Sequence, residues 1–171
     1  FVAIAAGGPR SFALKSDGTI VGWGELRGQT LPDGNDFVAI AAGSHSLALK
    51  SDGTIVGWGN YDYGQTTPPT GSDFVAIAAG GDYSFALKSD GTIIGWGDDR
   101  YGQATPLAGN GFVAIAAGEY HSLALKFVCS FAVAGDLNDD CKVNLEDIAI
   151  LAGNWLVDCA LTSSDPACVP K

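Results

Sequence analysis

The apolar positions of this chain follow a pattern that is written four times. The string FVAIAAG begins at Phe1, Phe37, Phe74 and Phe112, and each copy is followed by S-[FL]-A-L-K. Three copies continue into S-D-G-T-I-[VI]-G-W-G. FVAIAAG is a short run of β-branched and small residues, and S-L-A-L-K alternates with a period of two. Both are strand signals, and no 3.6-residue period appears in residues 1–126. Asp17-Gly18, Asp52-Gly53 and Asp90-Gly91 stand between the second strand signal and the third. An Asp-Gly pair there predicts a tight two-residue hairpin turn, with glycine supplying the positive φ. Each repeat therefore predicts three short antiparallel strands.

The copies start 36, 37 and 38 residues apart, from Phe1 to Phe37, Phe74 and Phe112 in turn. Such periods suit helical arrays and propellers alike. Three strands per unit decide for propeller blades. The expected units are 1–36, 37–73 and 74–111, with the first half of a fourth at 112–126. Trp23, Trp58 and Trp96 recur between glycines, and Lys15, Lys50, Lys88 and Lys126 recur at a strand end. All are expected to be architectural. The Ala-Ala-Gly triplets are expected to keep the strand nearest a propeller axis thin.

The run H-S-L-A-L-K-S-D-G-T-I-V-G-W-G-N-Y-D-Y-G-Q, from His45 to Gln65, resembles the repeat of the regulator-of-chromosome-condensation family. The resemblance covers residues 1–126. It implies a seven-bladed β-propeller whose blades are shared between successive repeats. Three and a half repeats cannot close such a ring within one chain. Association with copies of itself through exposed strand edges is therefore expected. Local repair is a further expectation, because Phe127–Gly135 has the length of the missing S-D-G-T-I-V-G-W-G and is apolar.

Residues 127–171 differ in character and are expected to form a small C-terminal appendage. Asp136, Asn138, Asp140, Lys142, Asn144 and Asp147 occupy positions one, three, five, seven, nine and twelve of a loop. Side-chain oxygens at this spacing, with a backbone carbonyl from Lys142, converge on a hard cation, which points to Ca²⁺. Ile148, Leu151, Ala152 and Trp155 then fall on one face of a helix. The segment from Gly135 to Leu156 resembles a dockerin repeat, or half of an EF-hand pair, of secreted bacterial modular proteins. That resemblance implies a cohesin-like or cell-surface partner. It departs from the pattern at position six, where Cys141 stands in place of glycine, and in having one loop instead of two.

The cysteines are Cys129, Cys141, Cys159 and Cys168, all in this appendage. An even, clustered set without a C-x-x-C spacing predicts two disulfides in an oxidising, extracellular setting. Three pairings are open; short local loops favour Cys129 with Cys141 and Cys159 with Cys168. The expected fold class is thus mainly β: a partial propeller with a disulfide-bonded calcium-loop-helix appendage.

The net charge of −10 disfavours binding to nucleic-acid phosphates or anionic lipid. No apolar run is long enough to span a membrane. His45 and His121 precede Ser46 and Ser122, but serine recurs at Ser11 and Ser84, so a structural role is expected and no catalytic residue is assigned. Asp98-Asp99 is expected to be a solvated loop pair. The segments between repeats vary most and carry Arg27, Tyr61, Tyr63, Arg100 and Tyr101. Tyrosine and arginine on loops over a rigid scaffold predict recognition. The expected function is a secreted, non-catalytic binding or assembly module for protein partners. The alternative is an accessory part of an extracellular glycan-active enzyme, tethered by the dockerin-like tail.

Overall fold

The computed structural model describes residues 1–26 and 28–126. Arg27, the four cysteines, the loop from Asp136 to Asp147 and the helix after it lie outside the described residues. So does the substitute strand expected at Phe127–Gly135. The chain divides after Lys126 into two units, Phe1–Lys126 and Phe127–Lys171.

The first unit is a series of antiparallel meanders. Strands β1 (Ala3–Gly7), β2 (Arg10–Leu14) and β3 (Ile20–Gly24) form the first sheet. Strands β4 (Phe37–Ala42), β5 (His45–Lys50) and β6 (Ile55–Gly59) form the second. The third holds β7 (Phe74–Ala79), β8 (Tyr83–Lys88) and β9 (Ile93–Gly97). The fourth has two strands among the described residues, β10 (Phe112–Ala117) and β11 (Ser122–Lys126). Each three-stranded sheet comes wholly from one repeat. The register is the same in each: Ser11 faces Trp23, Ser46 faces Trp58, and Ser84 faces Trp96.

The outer hairpins turn differently from expectation. Lys15 N–H donates to the Thr19 carbonyl at 2.9 Å and Gly18 N–H to the Lys15 carbonyl at 3.0 Å. The loop therefore holds three residues, with Gly18 at a φ of 79°. A turn followed by a left-handed glycine is the usual three-residue hairpin, so Asp-Gly predicts the hairpin but not its length. The aspartate has a separate task. Asp17 Oδ1 accepts from Thr19 N–H at 3.0 Å and from Thr19 Oγ1 at 2.7 Å, and Asp52 and Asp90 repeat this with Thr54 and Thr92. Those bonds hold all three carboxyls below the ordinary aspartate range.

Successive sheets pack face to face. Phe12, Leu14 and Ile20 of the first meet Phe37, Ala48 and Trp58 of the second. Leu47, Leu49 and Ile55 of the second meet Phe74, Ala79 and Ala86 of the third. The alternation in S-[FL]-A-L-K now has a cause. Phe or Leu fills the space toward the following blade, while Ser and Ala leave room for the preceding one. Phe12 and Trp58 meet edge to face with ring centroids 5.5 Å apart, a favoured aromatic geometry.

The glycine of each Ala-Ala-Gly triplet lies where blade backbones nearly touch. A Cβ on Gly43 would stand 2.0 Å from the Gly80 carbonyl oxygen, and one on Gly7 would stand 2.4 Å from that of Gly43. No side chain fits there. At the other end of the sheets, Phe37, Phe74 and Phe112 donate their N–H groups to the turn carbonyls of Gly18, Gly53 and Gly91. Lys50 pairs with Asp36 at 3.1 Å and Lys88 with Asp73 at 3.0 Å, while each ammonium lies over the ring of Phe37 or Phe74.

Gly43→Ala is expected to cost about 2–3 kcal/mol, because backbone must move to admit the methyl. Gly64→Ala meets nothing within 4 Å and is expected to cost only about 1 kcal/mol, from its left-handed backbone. Equilibrium chemical unfolding of the two variants checks this; equal losses would count against blade-to-blade crowding at Gly43.

Candidate recognition surface

One end of the sheets gathers the turns after β1, β4, β7 and β10 together with the connectors that leave β3, β6 and β9. The strand geometry that puts them there also sets a recurring slot just before the invariant serine. Arg10, His45, Tyr83 and His121 occupy it. In the first three copies this side chain reaches into the next blade. Arg10 donates to the carbonyls of Gly43 and Ser44, and to Gln29 Oε1 at 3.2 Å. His45 places Nδ1 3.3 Å from the Gly81 carbonyl and Nε2 2.6 Å from Ser84 Oγ. Tyr83 Oη donates to the carbonyls of Gly118 and His121. His45 and Tyr83 are fully buried. These residues bolt blade to blade, as the structural expectation for His45 holds. Pairwise reach into the neighbour is tertiary information, and the sequence signals only a large polar residue at a constant position.

Each connector is locked by its Gly-Gln pair. Gln65 Oε1 accepts from Tyr63 N–H at 2.9 Å, and Gln103 Oε1 from Tyr101 N–H at 2.8 Å. The Gln65 carbonyl accepts from Ser84 Oγ at 2.9 Å and from Trp96 Nε1 at 2.8 Å. A connector thus caps the blade that follows it, which is how neighbouring repeats share a blade here. The first connector is one residue shorter between G-W-G and Gly-Gln, and its Gln29 turns to Arg10. In the second blade Ser46 Oγ and Trp58 Nε1 are buried with no hydrogen-bond partner among the described residues.

Asp98-Asp99 is not a solvated pair. Asp98 is only 7% exposed. Its two oxygens take Arg100 Nε at 2.8 Å, Arg100 Nη2 at 3.1 Å and Gln103 Nε2 at 2.8 Å. The bonds from Arg100 are the main reason its carboxyl lies below the usual range. Asp99 accepts from Ala104 N–H at 2.8 Å and Thr105 Oγ1 at 2.6 Å, closing the same loop. The pair of acids builds the turn because both find donors within seven residues.

Fixed in this way, the Arg100 guanidinium lies 4.9 Å from the Tyr63 ring centroid, with Nη2 3.3 Å from the Tyr63 hydroxyl. Tyr101 is 81% exposed and Tyr61 74%. The structure brings Tyr63 and Arg100 together and leaves Tyr61 and Tyr101 projecting. It adds Tyr120, 72% exposed, whose phenol is raised above the ordinary tyrosine range by the Glu119 carboxylate beside it. Tyr120 sits in a turn inside the repeat, not in a variable connector, so loop variability alone does not point to it. Between the first and second blades lies a cleft of about 490 Å³, lined by Arg10, Glu25, Gln29, Asn60, Tyr61 and Asp62. Among the described residues no group of histidine, cysteine and acidic side chains is arranged to hold a metal ion. Among the same residues no helix is long and apolar enough to cross a membrane.

Residues 37–65 and 74–103 match the Regulator of chromosome condensation (RCC1) repeat. The blades are built of RCC1-type repeats. No curated protein matches the chain. The ectodomain of the receptor kinase CR4 from Physcomitrella patens is 26% identical, with a TM-score of 0.62 over 72% of this chain and 36% of that one. The ectodomain of the receptor kinase ACR4 from Arabidopsis thaliana is 25% identical, with a TM-score of 0.58 over 72% of this chain and 44% of that one. Prp20p from Saccharomyces cerevisiae, at 20% identity and a TM-score of 0.58, covers 91% of this chain and 47% of its own, and shares the fold. The chain spans less than half the length of each of these structures. Within the RCC1-type repeat, the bolt slot, the Gly-Gln lock and the Asp-Gly-Thr turn are the positions that the packing explains.

Burial of His45, the largest cause, together with the nearby Arg10, lowers its imidazole to about 4 from an ordinary 6.5. The folded chain therefore resists a proton that the unfolded chain takes up near 6.5. Stability from this site is fully present above pH 6.5 and falls as the pH drops toward 4, by on the order of 2–3 kcal/mol. Thermal unfolding between pH 7 and 4.5 checks this: His45→Gln is expected to flatten the decline. An unchanged slope would show that other groups carry it.

Proposed function

We propose that this chain is a non-catalytic binding module that engages protein partners through the tyrosine and arginine end of its blades. The observation that carries this is the Arg100 clamp. A buried carboxylate, a buried glutamine and a neighbouring ring hold one guanidinium in place, beside tyrosines that are left exposed. Rigid aromatic and arginine groups on a scaffold lose little freedom on binding, which is why they anchor interfaces. RCC1-type repeats in receptor kinase ectodomains, at 25% and 26% identity, support a binding role and an extracellular setting. The state of Asp98 favours this over the glycan-active alternative. An acid engaged by three donors and held ionised is poorly suited to giving up a proton. A panel of secreted proteins tested against the immobilised chain decides. A partner weakened about tenfold by Tyr101→Ala and by Arg100→Ala, with melting unchanged, supports the reading. Hydrolysis of a glycan polymer that disappears in Asp98→Ala would replace it.

The tail completes the proposal. Asp136, Asn138, Asp140, Asn144 and Asp147, with the Lys142 carbonyl, supply hard oxygen donors suited to Ca²⁺, and the cysteines suit an oxidising compartment. Such a tail would attach the module to a cohesin-like or cell-surface protein. Copies of the chain would also associate. Blades meet through sheet faces, and the outward faces are apolar at both ends of the series. Ile4 is 81% exposed, Leu123 67% and Leu125 62%, whereas the matching Leu47 and Leu49 are buried. Face-to-face stacking thus takes over the role first expected of strand edges. Calorimetry is expected to show calcium heat that Asp136→Ala removes, and sedimentation to show association that Leu125→Asp removes. Silence in either experiment would delete that part of the reading.

A further inference from the structure

The fourth sheet has an open side whose missing occupant the other sheets specify. Along β2, β5 and β8 the outer side pairs with a strand of sequence I-[VI]-G-W-G. Among the described residues no strand pairs with that side of β11, and β11 is exposed at every position, whereas β5 and β8 are buried except at their lysines. Beside it lies a cleft of about 320 Å³, lined by Phe85, Ile93, Pro106, Leu107, Ile115 and Ala124, with Ser122 at its border. Ser122 and Ala124 match Ser84 and Ala86, which face Trp96 and Ile94 in the third sheet. There the side chains of Ile94 and Trp96 pack against the second-to-third blade core. The cleft therefore stands where those two side chains belong in the next interface.

We propose that β11 and this cleft form a receptor for an extended peptide segment of a partner, with alternate apolar residues and a tryptophan. The segment adds antiparallel to β11 with its tryptophan opposite Ser122 and an aliphatic residue opposite Ala124. The open backbone groups supply affinity and the apolar cleft supplies selectivity, as in other strand-addition sites. Gln103 holds the place of Gln65, whose carbonyl receives Trp96 Nε1, so the Gln103 carbonyl is the acceptor for the incoming indole. The occupant is a partner and not a second copy's strand, because β3, β6 and β9 of a copy are already paired within their own sheets. This site is separate from the tyrosine surface, and either can fail alone.

The test uses the full chain and a fluorescent synthetic peptide with the sequence of Ser89–Gly97, S-D-G-T-I-I-G-W-G. Saturable binding is expected, weakened at least about tenfold when the peptide tryptophan is replaced by alanine. Ala124→Glu, at an exposed position, is expected to remove binding without lowering the melting temperature. Amide exchange at Ser122–Lys126 is expected to slow when peptide is present. No binding at about 1 mM peptide, a millimolar Kd being the floor of useful affinity, overturns the proposal. So does binding indifferent to both the tryptophan and Ala124→Glu. Should Ala124→Glu unfold the chain, the exchange pattern decides: protection elsewhere than β11 overturns the site.

Discussion

Every blade must bury both of its faces against other blades, and the rest of the molecule follows from that. A sheet with one wet face alternates apolar and polar residues. Here the alternation is between large and small. Leu47 and Leu49 of β5 project one way and Ser46 and Ala48 the other, and all four are buried. Large residues of one sheet meet small residues of the next, which is how close packing is reached without voids. Gly7, Gly43 and Gly80 are the limit of this arrangement, where backbone meets backbone.

Burying both faces also removes water from polar groups that the chain cannot omit. The bolt slot answers this at each boundary. Arg10, His45 and Tyr83 differ in charge and shape, yet each carries donors far enough to satisfy carbonyls of the following blade. The Gln65 carbonyl does the same for Ser84 and Trp96. Because blades are tied in this way, the connectors between them start from fixed points. That rigidity makes an Arg100 and Tyr63 stack, and a row of exposed tyrosines, a surface with a definite shape.

The boundaries of the strands were legible along the chain, since period-two runs and Asp-Gly pairs are local signals. The three-residue length of the hairpin loop was not, because the same dipeptide serves two turn types. Tyr61, Tyr63, Arg100 and Tyr101 stood out as loop residues of binding chemistry. Asp98 was misread as solvated, because an aspartate pair looks polar until Arg100 and Gln103 are seen to enclose it. Tyr120 went unnoticed, since its exposure depends on how much of the neighbouring blade covers it.

The sequence by itself determined the repeating unit, its three strands and its register, because those rest on residues a few positions apart. Only the tertiary structure decided which blade each bolt residue reaches, which acids are buried, and which flank of β11 stays open. Those outcomes depend on groups more than thirty residues apart, such as His45 and Ser84. No local pattern encodes a distance of that kind; it exists only once one sheet has been laid on the next.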